Sequence, residues 1–297
     1  MKPRILTIIV TYNGMRWLDR CLGSLVLSKE PTDVIVIDNG SNDGTVEYIA
    51  ENYQEVKLVR TGSNLGFGRA NNIGMKYALD KGYEYVYLLN QDAWIYPETF
   101  GVLLKAMEED RSLGILSPMQ MAACEDRPDP RFERWCPRRA FRDLGSRWRS
   151  GKVYDVSFVM AAHWMISIEC LGNVGGFSPA FSHYGEDDNY IHRTLYKGFR
   201  VGIHSGATAI HDREMRPRSK ETSMKLKCVA SVVKISNPHN RLWVRQILQP
   251  FELLAICIRY GSASVFRYIF TFIRSYRQLK IYRSESLGDG AFLKSAE

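Results

Sequence analysis

The sequence predicts an α/β protein that begins with a parallel β-sheet. Over roughly the first hundred residues, short apolar runs typical of buried strands alternate with segments whose apolar residues recur at helical spacing. Strand–helix–strand units of this kind place successive strands in parallel through right-handed crossovers. Polar clusters follow the apolar runs, and ligands bind at the carboxyl ends of strands in open α/β sheets. The same pattern therefore predicts the fold class and the position of a binding site.

The elements of this sheet follow in chain order. Each predicted strand is an apolar run, and each helix carries apolar residues three and four positions apart, as Leu18, Leu22 and Leu25 do in the first helix. The predicted strands cover residues 5–11, 34–37, 56–59 and 85–89, and the predicted helices cover residues 14–27, 45–52 and 69–81. A later helix is expected at 189–197, directly after a run of acidic residues.

Three polar clusters stand where predicted strands end. They are Thr11-Tyr12-Asn13, Asp38-Asn39-Gly40-Ser41 and Asn90-Gln91-Asp92. Turn preferences of Asn, Asp and Gly explain any one cluster, but they explain all three together poorly. Three clusters on one sheet edge make a concave polar site. A carboxylate there can hold a hard divalent cation, which in turn can hold a diphosphate, and this indicates nucleotide chemistry.

Composition narrows the class of protein. The chain has 297 residues, of which 45% are hydrophobic and 24% charged, as in ordinary globular proteins. Six scattered cysteines form no C-x-x-C pair, which favours reduced thiols over a disulfide framework or a zinc site. The first apolar run, residues 5–10, is too short for a signal peptide, and no stretch reaches the ~18 apolar residues of a spanning helix. A cytoplasmic protein is expected.

The ordered motifs resemble those of the family 2 inverting glycosyltransferases, in particular the rhamnosyltransferase-like bacterial branch. The matching stretches are 10–13, 38–45, 64–74, 89–93, Gly175-Gly176-Phe177 and 184–190, and the resemblance covers roughly residues 5–212. It implies a GT-A fold, in which a Rossmann-like nucleotide-binding half is continuous with a mixed-sheet acceptor half. The expected boundaries are a catalytic domain at 1–220, divided near residue 115, and a helical C-terminal region at 221–297.

The function implied by this resemblance is transfer of a sugar from a nucleotide-sugar to a hydroxyl group, with inversion at the anomeric carbon. The donor would be UDP-, dTDP- or GDP-linked, and the acceptor a glycan or lipid-linked saccharide in surface polysaccharide synthesis. The residues implied to bind the donor are Thr11, Tyr12, Asn13, Asp38, Asn39, Gly66, Arg69, Asn72, Asn90, Gln91 and Asp92. Gly66 and Gly68 would let the backbone approach the ligand, or would serve a tight turn alone.

Metal binding is assigned by the same resemblance to Asp92 and His211. The cofactor would be Mn²⁺ or Mg²⁺, and an imidazole ligand favours Mn²⁺. The chain departs from the family's D-x-D motif because Asn90 stands at the first acidic position. An amide oxygen still ligates such a cation but brings no charge, which predicts weaker binding. A hydrogen-bonded histidine at a strand end is the alternative role for His211.

Asp187 matches the position of the family's general base. Glu186 and Asp188 flank it, and like-charge repulsion among converging carboxylates raises their proton affinity, which a base requires. Alternatively, the acidic run caps the helix at 189–197, because acids favour a helix N-terminus.

On the acceptor side we expect Trp164, His183, Tyr184 and Glu186, with His163 nearby. Aromatic faces stack on sugar rings, although buried aromatic residues more often belong to the core. Residues 124–152 are rich in Arg and Pro and contain Trp135 and Trp148. A solvated loop is the favoured prediction for this segment, and a flap over the ligand is the alternative.

The basic excess is concentrated late in the chain. Between residues 237 and 283 there are eight Arg or Lys and one acid, out of a net charge of +8. Six of these cations are spaced to lie mostly on one side of a helix: Arg259, Arg267, Arg274, Arg277, Lys280 and Arg283. Aromatic and aliphatic residues lie between them, as in an interfacial amphipathic helix. We therefore expect residues 241–283 to bind an anionic membrane surface, peripherally on the inner face of the cell membrane. Packing on the catalytic domain is the alternative.

Other functions fit the sequence less well. The glycine cluster at 66–71 lacks the third glycine of G-x-G-x-x-G and follows the third strand, which argues against dinucleotide binding. A nucleotidyltransferase would need a basic glycine-rich loop after the first strand, where 12–15 is Tyr-Asn-Gly-Met. A non-catalytic relative that binds carbohydrate or nucleotide-sugar stays open if Asn90 weakens the metal site. Nucleic acid is not expected as a partner, because no recognition motif accompanies the basic charge.

Overall fold

The computed structural model describes residues 4–143, 151–213, 219–260 and 263–293. Within these ranges nine strands form one sheet. The strands are β1 (Ile5–Thr11), β2 (Asp33–Asp38), β3 (Lys57–Arg60), β4 (Tyr85–Asn90), β5 (Ala93–Ile95), β6 (Leu113–Met121), β7 (Val153–Asp155), β8 (His163–Ser167) and β9 (Arg200–His211). Their spatial order is β3-β2-β1-β4-β8-β6-β9-β5, with β7 paired to β9.

The first half of the sheet is parallel, as the strand–helix alternation predicts. β1 pairs in parallel with both β2 and β4, and β2 pairs in parallel with β3. The connecting helices are α1 (Leu18–Val26), α2 (Thr45–Asn52) and α3 (Phe67–Asp80). The helix predicted at 14–27 is interrupted, because a 3₁₀ turn at Met15–Trp17 precedes α1. The predicted strands and helices of this half are otherwise confirmed to within one or two residues.

The second half of the sheet is mixed. β8 runs antiparallel to β4 and to β6, β6 runs parallel to β9, and β5 runs antiparallel to the end of β9. The register between β6 and β9 shifts after Pro118, where β9 carries extra residues, and the two strands pair again up to Met121 and Ile210. The pairing of β5 with the end of β9 brings His211, the last residue of β9, opposite Ala93.

Apolar residues cover both faces of the sheet. Alternate residues of one strand enter opposite core clusters: Leu6 and Ile8 point to one face, and Ile5 and Ile9 to the other. One face is covered by α3, α6 (Ile168–Val174) and α7 (Glu186–Tyr196), and the other includes α1 and α4 (Thr99–Glu109). The strand ends are thereby held in fixed positions at one edge.

The segment predicted as a solvated loop, 124–152, is instead partly built into the core. Asp129, Phe132 and Ala140 are completely buried, and Ala140 lies in a short helix, α5 (Arg138–Asp143). Burial of apolar side chains outweighs the polar composition of the segment, because the apolar residues face the sheet. Trp148, the second tryptophan of the segment, lies outside the described residues.

The C-terminal region is helical, as predicted, but it consists of three helices: α8 (Lys220–Ser236), α9 (Leu242–Tyr260) and α10 (Ala263–Glu285). The predicted basic stripe is therefore divided. Arg259 lies on α9, apart from the cations of α10, and Arg283 turns inward to donate hydrogen bonds to the carbonyls of Ile235 and Asn240. Arg283 thus satisfies carbonyl oxygens at and after the end of α8. None of the helices in the described ranges has the length and apolarity needed to cross a membrane.

After α10 the chain returns to the main body of the protein. Lys197 donates to the carbonyl of Leu287 and pairs with Asp289, and the Ala291 carbonyl accepts a hydrogen bond from the Gly176 amide at 2.8 Å. Leu293 is 5% exposed and belongs to the same core cluster as Ile8. Residues 286–293 therefore pack as part of the α/β core and not as a free tail.

Candidate active site

The carboxyl ends of β1 and β4 are fastened to each other by Gln91. Its side-chain oxygen accepts hydrogen bonds from the Thr11 hydroxyl at 2.9 Å and from the Tyr12 amide at 2.8 Å, and its amide nitrogen donates to the Tyr12 carbonyl. Thr11 is buried, whereas Tyr12 is exposed beside it. Thr11 and Gln91 thus hold Tyr12 at the sheet edge, and Tyr12 is the member of this group that can meet a ligand.

The turn after β2 is organised around Asp38. Its carboxylate accepts hydrogen bonds from the Gly40 and Ser41 amides, at 3.2 Å each. Asn13, with a left-handed φ of 51°, joins the turn by accepting a hydrogen bond from the Asn42 amide at 2.9 Å. Local hydrogen bonds of this kind favour Asn and Asp in turns. The same arrangement places the Asp38 carboxylate beside the end of β1.

Two residues predicted to touch the donor are engaged inside the protein instead. Asn39 is buried; its oxygen accepts from the Leu65 amide at 2.8 Å and its nitrogen donates to Asn64. Asn72 is buried as well, and its amide group pairs with both the amide and the carbonyl of Phe177, at 2.7 and 2.9 Å. Because both side chains are bonded to other segments of the protein, the structure gives them a positioning role in place of the predicted contact with the donor. Arg69 remains exposed in the first turn of α3.

Gly66 has a structural reason to be glycine. Its φ is 84°, and a Cβ at this position would lie 2.7 Å from the carbonyl oxygen of Ser182. The loop before α3 therefore lies directly against the segment that precedes α7. Close approach to protein backbone, rather than to a ligand, accounts for this glycine.

Asp92 and His211 come together as the sequence predicts. The Asp92 Oδ1 and His211 Nε2 atoms are 3.6 Å apart, and the Asp212 amide donates to the Asp92 carbonyl at 2.8 Å. Burial alone would raise the pKa of the Asp92 carboxyl, but the neighbouring His211 outweighs it and lowers the pKa below its ordinary value. Asp92 is thus held as a carboxylate, the form that ligates a cation.

Asp129 is a member of this group that the sequence does not reveal. One of its carboxylate oxygens lies 3.6 Å from His211 Nδ1 and 3.1 Å from Arg213 Nε, and the other accepts hydrogen bonds from the Arg131 and Phe132 amides. Burial opposes its ionisation, but the Phe132 amide and Arg213 lower its pKa overall. A completely buried carboxylate therefore ties the irregular segment after β6 to the end of β9.

The donor set can be tested against a divalent cation. The side-chain oxygen of Asn90 is buried and has no hydrogen-bond partner among the described residues, although buried polar atoms are ordinarily paired. In the same ranges no group of three or more His, Cys, Asp or Glu side chains could hold a metal. Asp92 and His211, with Asn90 beside them, fit a cation that takes its other ligands from a bound molecule.

The acidic residues Glu186, Asp187 and Asp188 form the first turn of α7. The predicted helix starts three residues earlier than expected, so these acids lie inside it and do not precede it. Gly185 and Tyr184 both adopt left-handed φ values, 84° and 69°, which turn the chain sharply before the helix begins. A non-glycine residue in this conformation is uncommon and marks functional sites.

Proton affinity is raised throughout this turn. Burial and the charge of Asp187 raise the pKa values of Glu186 and Asp188 to about 7 each. Burial also raises the pKa of Asp187, whose carboxylate accepts a hydrogen bond from the Asp188 amide at 2.9 Å. The α7 N-terminus favours the charged forms but does not outweigh burial. These carboxyl groups are better proton acceptors near neutral pH than ordinary ones.

One cleft of about 630 Å³ joins the two ends of the site. Its lining includes Asn90, His211 and Arg213 from the strand ends and Asp187 from α7. Other lining residues are Phe67, Arg131, Arg134, Trp135, Phe158, His183, Tyr184, Glu186 and Asp188. The size is that of a small-molecule site. The segment after β6 supplies Arg131 and Trp135, so it does border the cleft, as a flap would, while being anchored in the core.

On the acceptor side the structure separates the predicted residues. His183, Tyr184 and Glu186 line the cleft. Trp164 is 0% exposed and packs on Phe177 and Tyr190, so its assignment to the acceptor is wrong. β8 pairs Trp164 with Leu88, which points into the core. His163 is also buried, bonded to the Tyr87 hydroxyl and the Ile210 carbonyl.

Comparison with known proteins agrees with this geometry. Residues 7–172 match the family described as glycosyl transferase family 2. This chain belongs to that family. The match spans more than half of the chain and includes the ends of β1, β2 and β4.

Among curated relatives, N-acetylglucosaminyl-diphospho-decaprenol L-rhamnosyltransferase of Mycobacterium tuberculosis is 36% identical over 121 residues, which is 38% of this chain and 39% of that protein. The dTDP-rhamnosyl transferase RfbF of Shigella flexneri is 32% identical over 114 residues, covering 38% of this chain and 37% of RfbF. The alignments thus span about two fifths of these family 2 relatives.

A solved structure of S. aureus TarS residues 1–349, in complex with UDP-GlcNAc, superposes with a TM-score of 0.58 at 17% identity, over 82% of this chain and 69% of that one. The likeness confirms the expected GT-A fold of this family 2 member, with its mixed sheet.

Proposed function

We propose that this family 2 protein transfers a sugar from a nucleoside diphosphate sugar to a hydroxyl group of a lipid-linked saccharide, with inversion at the anomeric carbon. One observation carries the proposal: a carboxylate of raised pKa, Asp187, lines the same cleft as Asn90, His211 and Arg213. Asp187 suits removal of a proton from an acceptor hydroxyl, and the group of Asn90, His211 and Arg213 suits binding of a diphosphate.

The proposed roles follow the position of each group. Asp38 and Tyr12 contact the nucleoside at the ends of β1 and β2. A divalent cation, Mn²⁺ or Mg²⁺, held by Asp92 and His211 with the Asn90 oxygen nearby, would neutralise charge on the departing diphosphate. Arg213 lies near enough to Asp187 to lower its proton affinity in part, and it is placed to contact the same anion.

Asp187 accepts the proton of the acceptor hydroxyl as that oxygen attacks the anomeric carbon. The bond from the anomeric carbon to the diphosphate breaks as the new bond forms on the opposite face, which inverts the configuration. The donor and acceptor named for the Mycobacterium tuberculosis and Shigella flexneri relatives make dTDP-rhamnose and a diphospholipid-linked N-acetylglucosamine the first substrates to try.

The test measures release of nucleoside diphosphate by the purified chain from dTDP-rhamnose, UDP-GlcNAc and GDP-mannose, with either cation and with a diphospholipid-linked N-acetylglucosamine as acceptor. We expect acceptor-dependent release from one donor, and a product anomer opposite to that of the donor by NMR. Acceptor-independent binding without release from any donor would support a non-catalytic relative and contradict the proposal. A product of unchanged configuration would contradict the role of Asp187.

We also propose that α9 and α10 bind an anionic membrane surface, peripherally on the inner face of the cell membrane. Six large apolar residues of α9 are exposed, and five recur at helical spacing along one stripe: Trp243, Ile247, Phe251, Leu254 and Ile258. On α10 the exposed Phe266, Phe270 and Ile273 are flanked by Arg267 and Arg274. An exposed apolar stripe beside cations is the pattern of an interfacial helix on anionic lipid.

Co-sedimentation with vesicles tests this surface. Phe251 and Ile258 are 67% and 76% exposed, so the double variant Phe251→Glu/Ile258→Glu should keep the fold and lose most binding to phosphatidylglycerol-containing vesicles. Val26→Glu, an exposed apolar position on α1, is the matched control and should bind as the unaltered protein does. Equal binding by all three proteins would exclude α9 from the membrane contact.

A further inference from the structure

A second cavity lies beside the cleft, between α8, α10 and the segment 179–184. It has a volume of about 320 Å³, within the range of ligand pockets. Its walls are mainly apolar and include Phe181, Val229, Val232, Phe272, Leu279 and Tyr282. This apolar groove faces the inner side of α10, away from the exposed Phe270 and Ile273.

The apolar groove is continuous with the cleft. His183, Tyr184 and Val229 line both of them, so the two cavities meet at the turn that precedes Asp187. Anything that extends from the acceptor end of the cleft at this turn enters the groove.

The number of charged side chains falls from the cleft to the apolar groove. The cleft carries carboxylates and arginines, whereas the groove has a single fully charged side chain in its described lining, Lys225. Lys225 lies close enough to His183 to contribute, after burial, to lowering the pKa of that imidazole. A cation therefore stands beside the junction, and apolar walls lie beyond it. A ligand whose anionic group is followed by an apolar chain would place the anion beside this cation and the chain between the apolar walls.

We propose that the apolar groove binds the first part of the isoprenoid chain of a lipid phosphate or diphosphate acceptor, with its phosphate near Lys225. The proposal rests on the function proposed above. A saccharide is a poorer occupant because most of the wall is apolar and would leave many of its hydroxyls without partners. An isoprenoid chain gains from burial there, and α10 stands between the groove and the face proposed to meet the membrane.

Binding of geranyl, farnesyl and geranylgeranyl phosphates tests the groove without any sugar donor or vesicle. Below micelle-forming concentrations, affinity for the chain should rise by about fourfold for each methylene buried, until the groove is full. Inorganic phosphate and farnesol are run beside them to separate the head group from the chain. Farnesyl phosphate should bind more tightly than either.

Val232→Trp fills the groove and should weaken farnesyl phosphate binding at least tenfold, with little change for inorganic phosphate. Ile281→Trp adds the same side chain at an exposed position of α10 outside the groove and should bind as the unaltered protein does. If thermal unfolding shows that Val232→Trp is not folded, Ser275→Phe fills the groove from α10 instead.

Affinity that is independent of chain length, or equal loss in the filled and control variants, would overturn the proposal. Because no donor is present, these results are separate from sugar transfer. Chain-length dependence without transfer to any acceptor would count against the proposed function and leave the groove as a lipid site. Sugar transfer without chain-length dependence would support the proposed function and reject the groove as a lipid site.

Discussion

At the end of β9, carboxylates lie beside a histidine and an arginine, whereas at the start of α7 they lie among one another. Asp92 and Asp129 contact His211 and Arg213, and their pKa values are lowered despite burial. Glu186 and Asp188 flank Asp187, and their pKa values are raised to about 7. Both groups belong to one site, and residues from both regions line the same cleft.

The difference between them is set by partners more than by burial, since all of these acids are removed from water to some degree. Pairs of titratable groups whose surroundings move their pKa values apart identify the acid–base assignments of an active site. That rule supports the proposal that the β9 group holds negative charge for a cation and that the α7 group accepts protons.

The largest expected effect is that of Asp187→Asn. The substitution keeps the shape but removes the proton acceptor, so kcat should fall by about 10²–10⁴-fold. Donor affinity, measured by calorimetry with nucleoside diphosphate, should stay within about twofold, because the donor contacts lie at the strand ends. Asn189→Asp in the same variant, which adds an acid two residues further along α7, should not restore activity. Retained turnover in Asp187→Asn would end the assignment of the α7 group to proton transfer.

A smaller effect is expected from Glu186→Gln, measured as a change in the free energy of unfolding. The pKa of Glu186 in the folded protein is about 7, above its ordinary value of 4.5. The folded state therefore loses free energy of unfolding as pH rises from 4.5 to 7, because ionising this carboxyl is harder in the folded than in the unfolded protein. The neutral variant avoids that cost and should be more stable at pH 8 by about 3 kcal/mol, with no difference at pH 4.

Thermal unfolding of the two proteins across this pH range checks the sign. Glu169→Gln is the matched control, because Glu169 is an exposed acid in the first turn of another helix, α6. A gain for Glu186→Gln that is the same at both pH values would show that the cost of ionising this buried carboxyl beside Asp187 is not its cause.

The smallest of the three effects is expected from Asp129→Asn. Partners that orient a metal-binding histidine typically change metal affinity by about 10–100-fold, and Asp129 lies against His211 on the side away from Asp92. Mn²⁺ titration in the presence of nucleoside diphosphate should show this loss. Asp126→Asn, an exposed acid in the same segment, should leave the affinity unchanged. Equal affinity in both variants would make Asp129 purely a packing residue.

Sequence predicted best what is local. Asp38 and Asp92 are predicted from their places at or just after the ends of strands, and the parallel register of β1, β2 and β4 brings those ends together. His211 is predicted from the family resemblance, but its position beside Asp92 depends on the pairing of β5 with the end of β9, which no local pattern contains.

The failures share one cause, which is long-range packing. Asp129 lies in a segment whose composition favours solvent, and nothing in the chain announces that its carboxylate will meet Arg213. Trp164 and Asn72 have side chains suited to sugar or ribose, and only the pairing of β8 with β4 and the contact with Phe177 show that they face inward. Residue type alone did not distinguish a contact with substrate from a contact inside the fold.

The return of residues 286–293 to the core means that the helical region is attached to the α/β body at both of its ends. Lys197, Gly176 and the cluster around Leu293 hold the second attachment. Attachment at both ends restricts movement of the helical region relative to the α/β body. If its outer face lies on a bilayer, as proposed above, this double attachment sets the height and the tilt of the cleft above the lipid together. The number of sugar units between the lipid and an acceptor hydroxyl in the cleft would then be fixed by the architecture.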